Sequence, residues 1–428
     1  MKKIVLKNGV RLMLMPNKST GVVTIMTMFG VGSRHESDKL AGISHLLEHM
    51  NYKGTLKRPT FLEVAEFIES IGGEHNAFTG KEYTAYYTKV TPKHLEKGVD
   101  FVSDNVLHST YDSEELKKEK GVIIEEINMY EDQPMENIDN KFEEALFGKN
   151  ALGRDIIGTK ESVSGLERDD LLEYRKHHYT AENCVVAMAG NFGETTEAQI
   201  EKLIEEKFVF TGTKAVSKAG SPENPEQIVL NQSKSVIIVP KKTEQSHLMI
   251  GFFGPPFVSE DRSALKLLGV ILGGSMSSRM FVEVREKRGL AYAVRTSFGC
   301  YREAGSIETQ AGVPHSKVKE TIKAILDEYR KVTEKEVTES ELSRVKEILN
   351  GQTMIDLEDS FEVADHYARY ETIAGVTKSP EEILKEYEKV RPSDILKIAK
   401  KYLVDNRMSL AYIGPALEEK DITNLFML

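Results

Sequence analysis

The chain has 428 residues, 40% apolar and 29% charged, with a formal net charge of −10. That length exceeds what one hydrophobic core holds and points to two or more domains. The acidic balance argues against nucleic acid as a partner and offers no basic patch for an anionic membrane, and the two cysteines, Cys184 and Cys300, fit a reducing compartment and read as small core residues.

Residues 1–17 read as two strands joined at an Asn8-Gly9 turn; Lys7 and Asn8 interrupt the apolar run that a signal peptide would need. A strand follows at 22–29, then an amphipathic helix over 38–50 and a short helix over 61–70. Residues 83–88 read as a strand and 94–107 and 113–131 as helices. A helix at 169–179, a strand at 184–189 and a helix at 197–208 complete the first half. Residues 211–227 are rich in Gly, Ser, Pro and Lys without periodicity and read as a linker. A second cycle begins at Ser235 with two strand-like runs. Helices over 261–272, 318–333 and 338–354 follow, the last opened by a Thr338/Glu341 capping box, then a strand at 408–413. That strand and Gly414 echo residues 185–190. The expectation is an α+β protein of two similar α/β-sandwich domains, each a mixed, mostly antiparallel sheet with helices on one face, related as divergent internal repeats. The domains are 1–210 and 231–428, joined by a linker at 211–230. No stretch is long enough to span a membrane, so the expected location is the cytoplasm.

The string His45-Leu46-Leu47-Glu48-His49 carries the most chemistry. Histidines four apart on a helix project one above the other, and Glu48 lies beside them. Two neutral nitrogen ligands and a carboxylate able to take a proton from water suit a catalytic divalent metal. The apolar positions Leu40, Ile43, Leu46, Leu47 and Met50 form the opposite arc. The plainer alternative is a solvated polar face. His366 reads as surface, and the adjacent His177 and His178 point to different faces.

A catalytic zinc needs a third protein ligand. In the 113–131 helix, with Ser113 as expected N-cap, Glu119 and Glu126 are seven residues apart and nearly eclipsed at the edge of the apolar stripe, whereas Glu125 points outward. An inward carboxylate is costly unless paired or metal-bound. Glu126, with Glu119 as neighbour, is therefore the better ligand candidate. The alternative is the charged flank of an amphipathic helix. The corresponding place in the second half, LGVILGG at 268–274, has no histidine.

HLLEH, followed 77 positions after His49 by the Glu126 of EKGVIIEE, resembles the inverted-zincin peptidases of the pitrilysin family. The resemblance covers essentially the whole chain, which is nearest in size to the two-domain, mitochondrial-processing-peptidase-like members. MNYKGT at 50–55 is similar to the family's H-M-x-F-K-G-T, with Tyr52 replacing phenylalanine. GGEHNAFTGKEYTAYY at 72–87, LGRDIIGT at 152–159, NCVVAMAGNF at 183–192 and REKRGLAY at 285–292 are similar to later family motifs. The resemblance implies that His45, His49 and Glu126 ligate one Zn²⁺ per chain and that Glu48 is the general base. It makes Glu119 a carboxylate that orients His49 or its helix. Asn76, Ala77 and Phe78 would meet the substrate, Tyr292 would donate to the developing oxyanion, and Arg285 would bind substrate backbone or carboxylate. From the residues alone, Arg285 reads as a surface ion pair and Tyr292 as core.

The implied activity is a zinc metalloendopeptidase hydrolysing unstructured peptides, bound as an extended strand in an enclosed chamber. Heterodimeric members of the family split the zinc motif and the arginine–tyrosine motif between chains; this chain keeps both, so the resemblance implies a homodimer, with a paralogous partner left open. Manganese or cobalt could replace zinc. The alternative is a non-catalytic or partner-dependent scaffold subunit of a processing-peptidase-like complex. A purely structural metal site would need a fourth protein ligand, for which no Cys or His is placed.

Overall fold

Asn8 and Gly9 turn the chain back so that β1 (Lys2–Val5) pairs antiparallel with β2 (Arg11–Pro16) in the register Lys2↔Leu14. The computed structural model describes residues 1–210, 234–418, 420, 422, 424–425 and 427–428; the expected linker at 211–230 lies outside the described residues. The remaining strands of the first sheet are β3 (Val23–Phe29), β4 (Glu74–Thr79), β5 (Thr84–Val90) and β6 (Cys184–Gly190), in the order β1-β2-β6-β3-β5-β4. β6 runs parallel to β2 and antiparallel to β3.

Every residue of β3 is buried. Its sequence, VTIMTMF, is close to a continuous apolar run because the strand is covered on both faces. Helix Leu95–His108 packs on one face. On the other, Met13, Met26, Met28, Val185 and Ala187 meet Ala364, Tyr367 and Ala368 of helix Ser360–Ala374. Small alanines on that helix let it approach the methionines closely.

The second sheet contains β7 (Ser235–Pro240), β8 (Ser246–Gly254), β9 (Ala293–Cys300), β10 (Gly305–Val313) and β11 (Met408–Gly414), in the order β7-β11-β8-β10-β9. β11 is parallel to β7 and antiparallel to β8, repeating the relation of β6 to β2 and β3. The two sheets are thus two copies of one arrangement. Helices Arg262–Gly273 and Val318–Glu334 supply the core on one face through Leu265, Leu268, Ile322 and Ile325. Ile138, Phe142 and Leu146 of helix Pro134–Phe147 cover Met249, Phe253, Ala411 and Ile413 on the other.

The two compact units are discontinuous in sequence. The first comprises Met1–Asn128, the described residues of Asp155–Gln227, and Met354–Lys378. The second comprises Met129–Arg154, the described residues of Ile228–Thr353, and those of Ser379–Leu428. Each sheet therefore receives one covering helix from the opposite half of the chain.

Three local expectations are corrected. The motif helix spans Ile43–Met50, with only a 3-10 turn at Asp38–Leu40. Gly42 breaks the longer helix: its φ is +91°, and a Cβ there would lie 2.5 Å from the Ile157 carbonyl oxygen. Helix Ser113–Asp132 is capped not by Ser113 but by Asp112, whose carboxylate accepts from the Glu114 and Glu115 amides at 2.9 and 3.1 Å. His366 is half-buried rather than plain surface, with Nε2 2.7 Å from the Lys378 carbonyl oxygen.

Candidate functional site

The motif helix begins on a carboxylate. Glu36 accepts from the amides of Gly42 and Ser44 at 2.8 Å each, satisfying two otherwise unpaired donors where the helix dipole favours negative charge. Ile43, Leu46, Leu47 and Met50 are fully buried. That anchoring fixes the rotation of the helix and leaves His45, Glu48 and His49 on its other side.

The facing helix, Ser113–Asp132, buries Leu116, Glu119, Ile123 and Ile127. Glu125 is exposed and Glu126 half-buried, as the helical spacing requires. Glu126 Oε2 lies 3.9 Å from His45 Nε2 and 3.9 Å from His49 Nε2. One donor atom from each of the three residues lies within 4.8 Å of the others, the sole such cluster among the described residues. Zinc bonds of about 2.0–2.2 Å in tetrahedral geometry require donor separations of roughly 3.4 Å, so side-chain adjustments would bring these three donors to that spacing. Two imidazoles and a carboxylate are a donor set that zinc favours, and the residues fit the ion.

Electrostatics follow from burial and neighbours. Burial, then the adjacent His49, pull the His45 pKa down to about 3, which keeps the ring in the neutral form that ligates metal. His45 Nδ1 is buried without a hydrogen-bond partner among the described residues. His49 differs: burial opposes its charge, but the hydrogen bond with Glu119 and the nearby carboxylates raise its pKa. Glu119 Oε1 is 2.8 Å from His49 Nδ1, and Glu119 Oε2 accepts from Lys53 Nζ at 2.6 Å. Burial would raise the Glu119 pKa, yet these two partners bring it below the usual value. Glu48 is raised by burial and partly restrained by Thr79, whose Oγ1 donates to Glu48 Oε2 at 2.5 Å.

Thr79 ends β4, an edge strand that among the described residues pairs with β5 alone, in the register Asn76↔Tyr87, Ala77↔Tyr86, Phe78↔Ala85. Asn76, Ala77 and Phe78 thus stand on a sheet edge that contacts the motif helix. Tyr52, the departure from the family's phenylalanine, donates its hydroxyl to the Asn76 carbonyl oxygen at 3.1 Å and ties the loop after the motif to that edge.

Arg285 and Tyr292 belong to the second unit. They sit together: the Arg285 guanidinium lies 5.1 Å from the Tyr292 ring centre and 4.6 Å from that of Phe281. Tyr292 is 78% exposed, which excludes the core alternative. Arg285 Nε also lies 3.6 Å from Glu286 Oε1.

The structure therefore gathers His45, Glu48, His49, Glu119 and Glu126 beside the strand bearing Asn76–Phe78, and separately pairs Arg285 with Tyr292. Lys53 and Thr79 were absent from the sequence-derived site. Both lie inside the quoted motif segments, MNYKGT and GGEHNAFTGKEYTAYY, which was the available signal.

Two family models match the chain. Residues 12–160 match Insulinase (Peptidase family M16), and residues 165–349 match the Peptidase M16 inactive domain. An uncharacterized zinc protease of Bacillus subtilis is 35% identical over 415 residues, covering 97% of this chain and 98% of the relative. One from Streptomyces coelicolor is 34% identical, covering 99% and 91%. The crystal structure of a protease from Helicobacter pylori shares the fold, with a TM-score of 0.90 at 22% identity over 97% of this chain and 99% of that one. With both halves matched and relatives above 30% identity along nearly its full length, the chain belongs to peptidase family M16.

Proposed function

We propose that this chain is a zinc-dependent endopeptidase acting on unstructured peptides. The observation that carries the reading is the convergence of His45 Nε2, His49 Nε2 and the Glu48 carboxylate on one helix with Glu126 Oε2 of the facing helix, beside a sheet edge. Zinc held by those three residues would polarise a peptide carbonyl and make water acidic enough to attack near neutral pH. Glu48 takes the water's proton at Oε1, because Oε2 is engaged by Thr79, and passes it to the leaving amide nitrogen. Glu119 holds the His49 ring through Nδ1, leaving Nε2 as the atom that would ligate the ion.

The peptide adds as a strand along β4 at Asn76, Ala77 and Phe78. Recognition through backbone hydrogen bonds favours extended chains over folded ones and reads side chains weakly. In this reading Tyr292 donates to the developing oxyanion and Arg285 binds substrate backbone or carboxylate; the exposure of Tyr292 and its pairing with the Arg285 guanidinium support such roles. Possession of both motifs by one chain supports a homodimer. No helix among the described residues is long and apolar enough to cross a membrane; cytoplasmic residence is part of the proposal. The intact ligand set disfavours the scaffold alternative.

The test is cleavage of a quenched-fluorescent peptide mixture before chelation, after it, and after zinc is restored. Activity lost and regained with zinc supports the peptidase; no cleavage by a folded, zinc-loaded chain contradicts it.

A further inference from the structure

The carboxylate behind His49 is itself held from the far side. Glu119 is only 5% exposed, and its two oxygens are divided between two partners. Oε1 meets His49 Nδ1 at 2.8 Å, and Oε2 meets Lys53 Nζ at 2.6 Å. A buried carboxylate that lost its cation would be desolvated without compensation and would rotate toward water. That rotation would release the His49 ring. The pair differs from an ordinary surface ion pair, worth little, because one partner is almost wholly enclosed.

The backbone fixes where the ammonium goes. After the motif helix the chain turns tightly, with the Lys53 amide donating to the Met50 carbonyl at 3.2 Å. Gly54 has φ +135°, and a Cβ there would lie 2.3 Å from the Pro59 carbonyl oxygen, so no other residue fits this turn without strain. The Gly54 carbonyl accepts from the Thr110 amide at 3.1 Å, and Thr55 bridges to Ser109. Lys53 thus leaves a tethered turn, one helical turn beyond His49. Its ammonium lies 5.4 Å from the Phe61 ring centre.

We infer that Lys53 is a positioning residue for metal binding: it holds Glu119, which holds His49 in the orientation that presents Nε2 to the ion. The inference rests on the reading that His45, His49 and Glu126 bind zinc. Lys53 touches neither metal nor substrate and acts only through Glu119.

The test is zinc affinity of the full chain, measured by competition with a chromophoric chelator, for wild type, Lys53→Met, Lys53→Arg, Glu119→Gln and the Lys53→Met/Glu119→Gln double variant. Lys53→Met is expected to weaken zinc about 10- to 100-fold, as loss of such supporting partners does, and Lys53→Arg to retain most of the affinity. In the Glu119→Gln background, Lys53→Met is expected to cost nothing further, a coupling that general destabilisation would not produce. Should Lys53→Met fail to fold, Lys53→Gln is read in the same way. Wild-type affinity in the neutral variants, or an equal loss in both backgrounds, overturns the inference. Coupled loss of zinc in a chain that cleaves no peptide still supports it and sinks only the peptidase reading.

Discussion

Thr79, the last residue of the edge strand β4, donates its hydroxyl to Glu48 Oε2 at 2.5 Å. The strand proposed to carry the peptide and the carboxylate proposed to take the proton are therefore mechanically joined. Thr79→Val keeps shape and removes the donor. A hydrogen bond to a charged group is worth about 1.5–3 kcal/mol, so kcat should fall roughly 10- to 100-fold. KM and bound zinc should hold. Thr79→Ser, which retains the hydroxyl, should stay within a fewfold of wild type. Steady-state kinetics on one peptide check this; a rise in KM alone would instead place Thr79 in substrate binding.

Removing the metal should silence the chain without unfolding it. The core of the first unit is built from β3, β6 and their covering helices and does not depend on the ligand set. Zinc at a hundredfold excess over its dissociation constant stabilises by about 2.7 kcal/mol. Chelation should therefore lower the melting temperature by roughly 5–10 °C and leave the far-ultraviolet circular dichroism at 25 °C intact. Collapse of that spectrum on chelation would favour a structural metal.

Gly42→Ala should damage the site from a distance. Its φ of +91° and the 2.5 Å approach of the Ile157 carbonyl leave no room for a methyl group. The start of the motif helix, fixed by Glu36, must then move. The expected cost is at least about 2 kcal/mol, seen as a lower melting temperature of the zinc-free chain together with weaker zinc binding.

The second unit carries its own pH dependence. Glu308 on β10 is 9% exposed, and its Oε2 has no hydrogen-bond partner among the described residues. Burial first, then Glu143 and Asp139, push its pKa from 4.5 up to about 7. A raised carboxyl contributes stability that is fully present below pH 4.5 and is lost as pH rises through about 7. Denaturant unfolding of wild type should weaken across that window by on the order of 3 kcal/mol. Glu308→Gln should flatten the profile and be the more stable protein at pH 8. Identical slopes for the two proteins would remove Glu308 as the cause.

The candidate His45, His49 and Glu126 cluster was legible because helical spacing is a local property. His45 and His49 are one turn apart, and the seven-residue interval from Glu119 to Glu126 separates them from the exposed Glu125 without any tertiary information. The repeat was legible from the echo of 185–190 in 408–413, now β6 and β11 in equivalent places of two sheets. What periodicity could not supply were contacts made across the chain. Thr79 reaches Glu48 over 31 residues, and Lys53 reaches Glu119 over 66, and neither pairing leaves a spacing signature. The exchange of helices Pro134–Phe147 and Ser360–Ala374 between halves was equally hidden, since each presents an apolar face that says nothing about which sheet receives it. Helix starts failed for a local reason: Gly42 and Asp112 decide them through backbone angle and capping, which the apolar pattern does not record.

The central claim is that Glu48 moves the proton while His45, His49 and Glu126 hold the metal. Glu48→Gln preserves size and removes the base, so its zinc content and peptide cleavage, measured beside wild type on the same peptide mixture, test the claim most directly. The account predicts one zinc per chain in both proteins and cleavage only in wild type, with the variant reduced by at least about 100-fold. Cleavage at the wild-type rate by the zinc-loaded variant would contradict it.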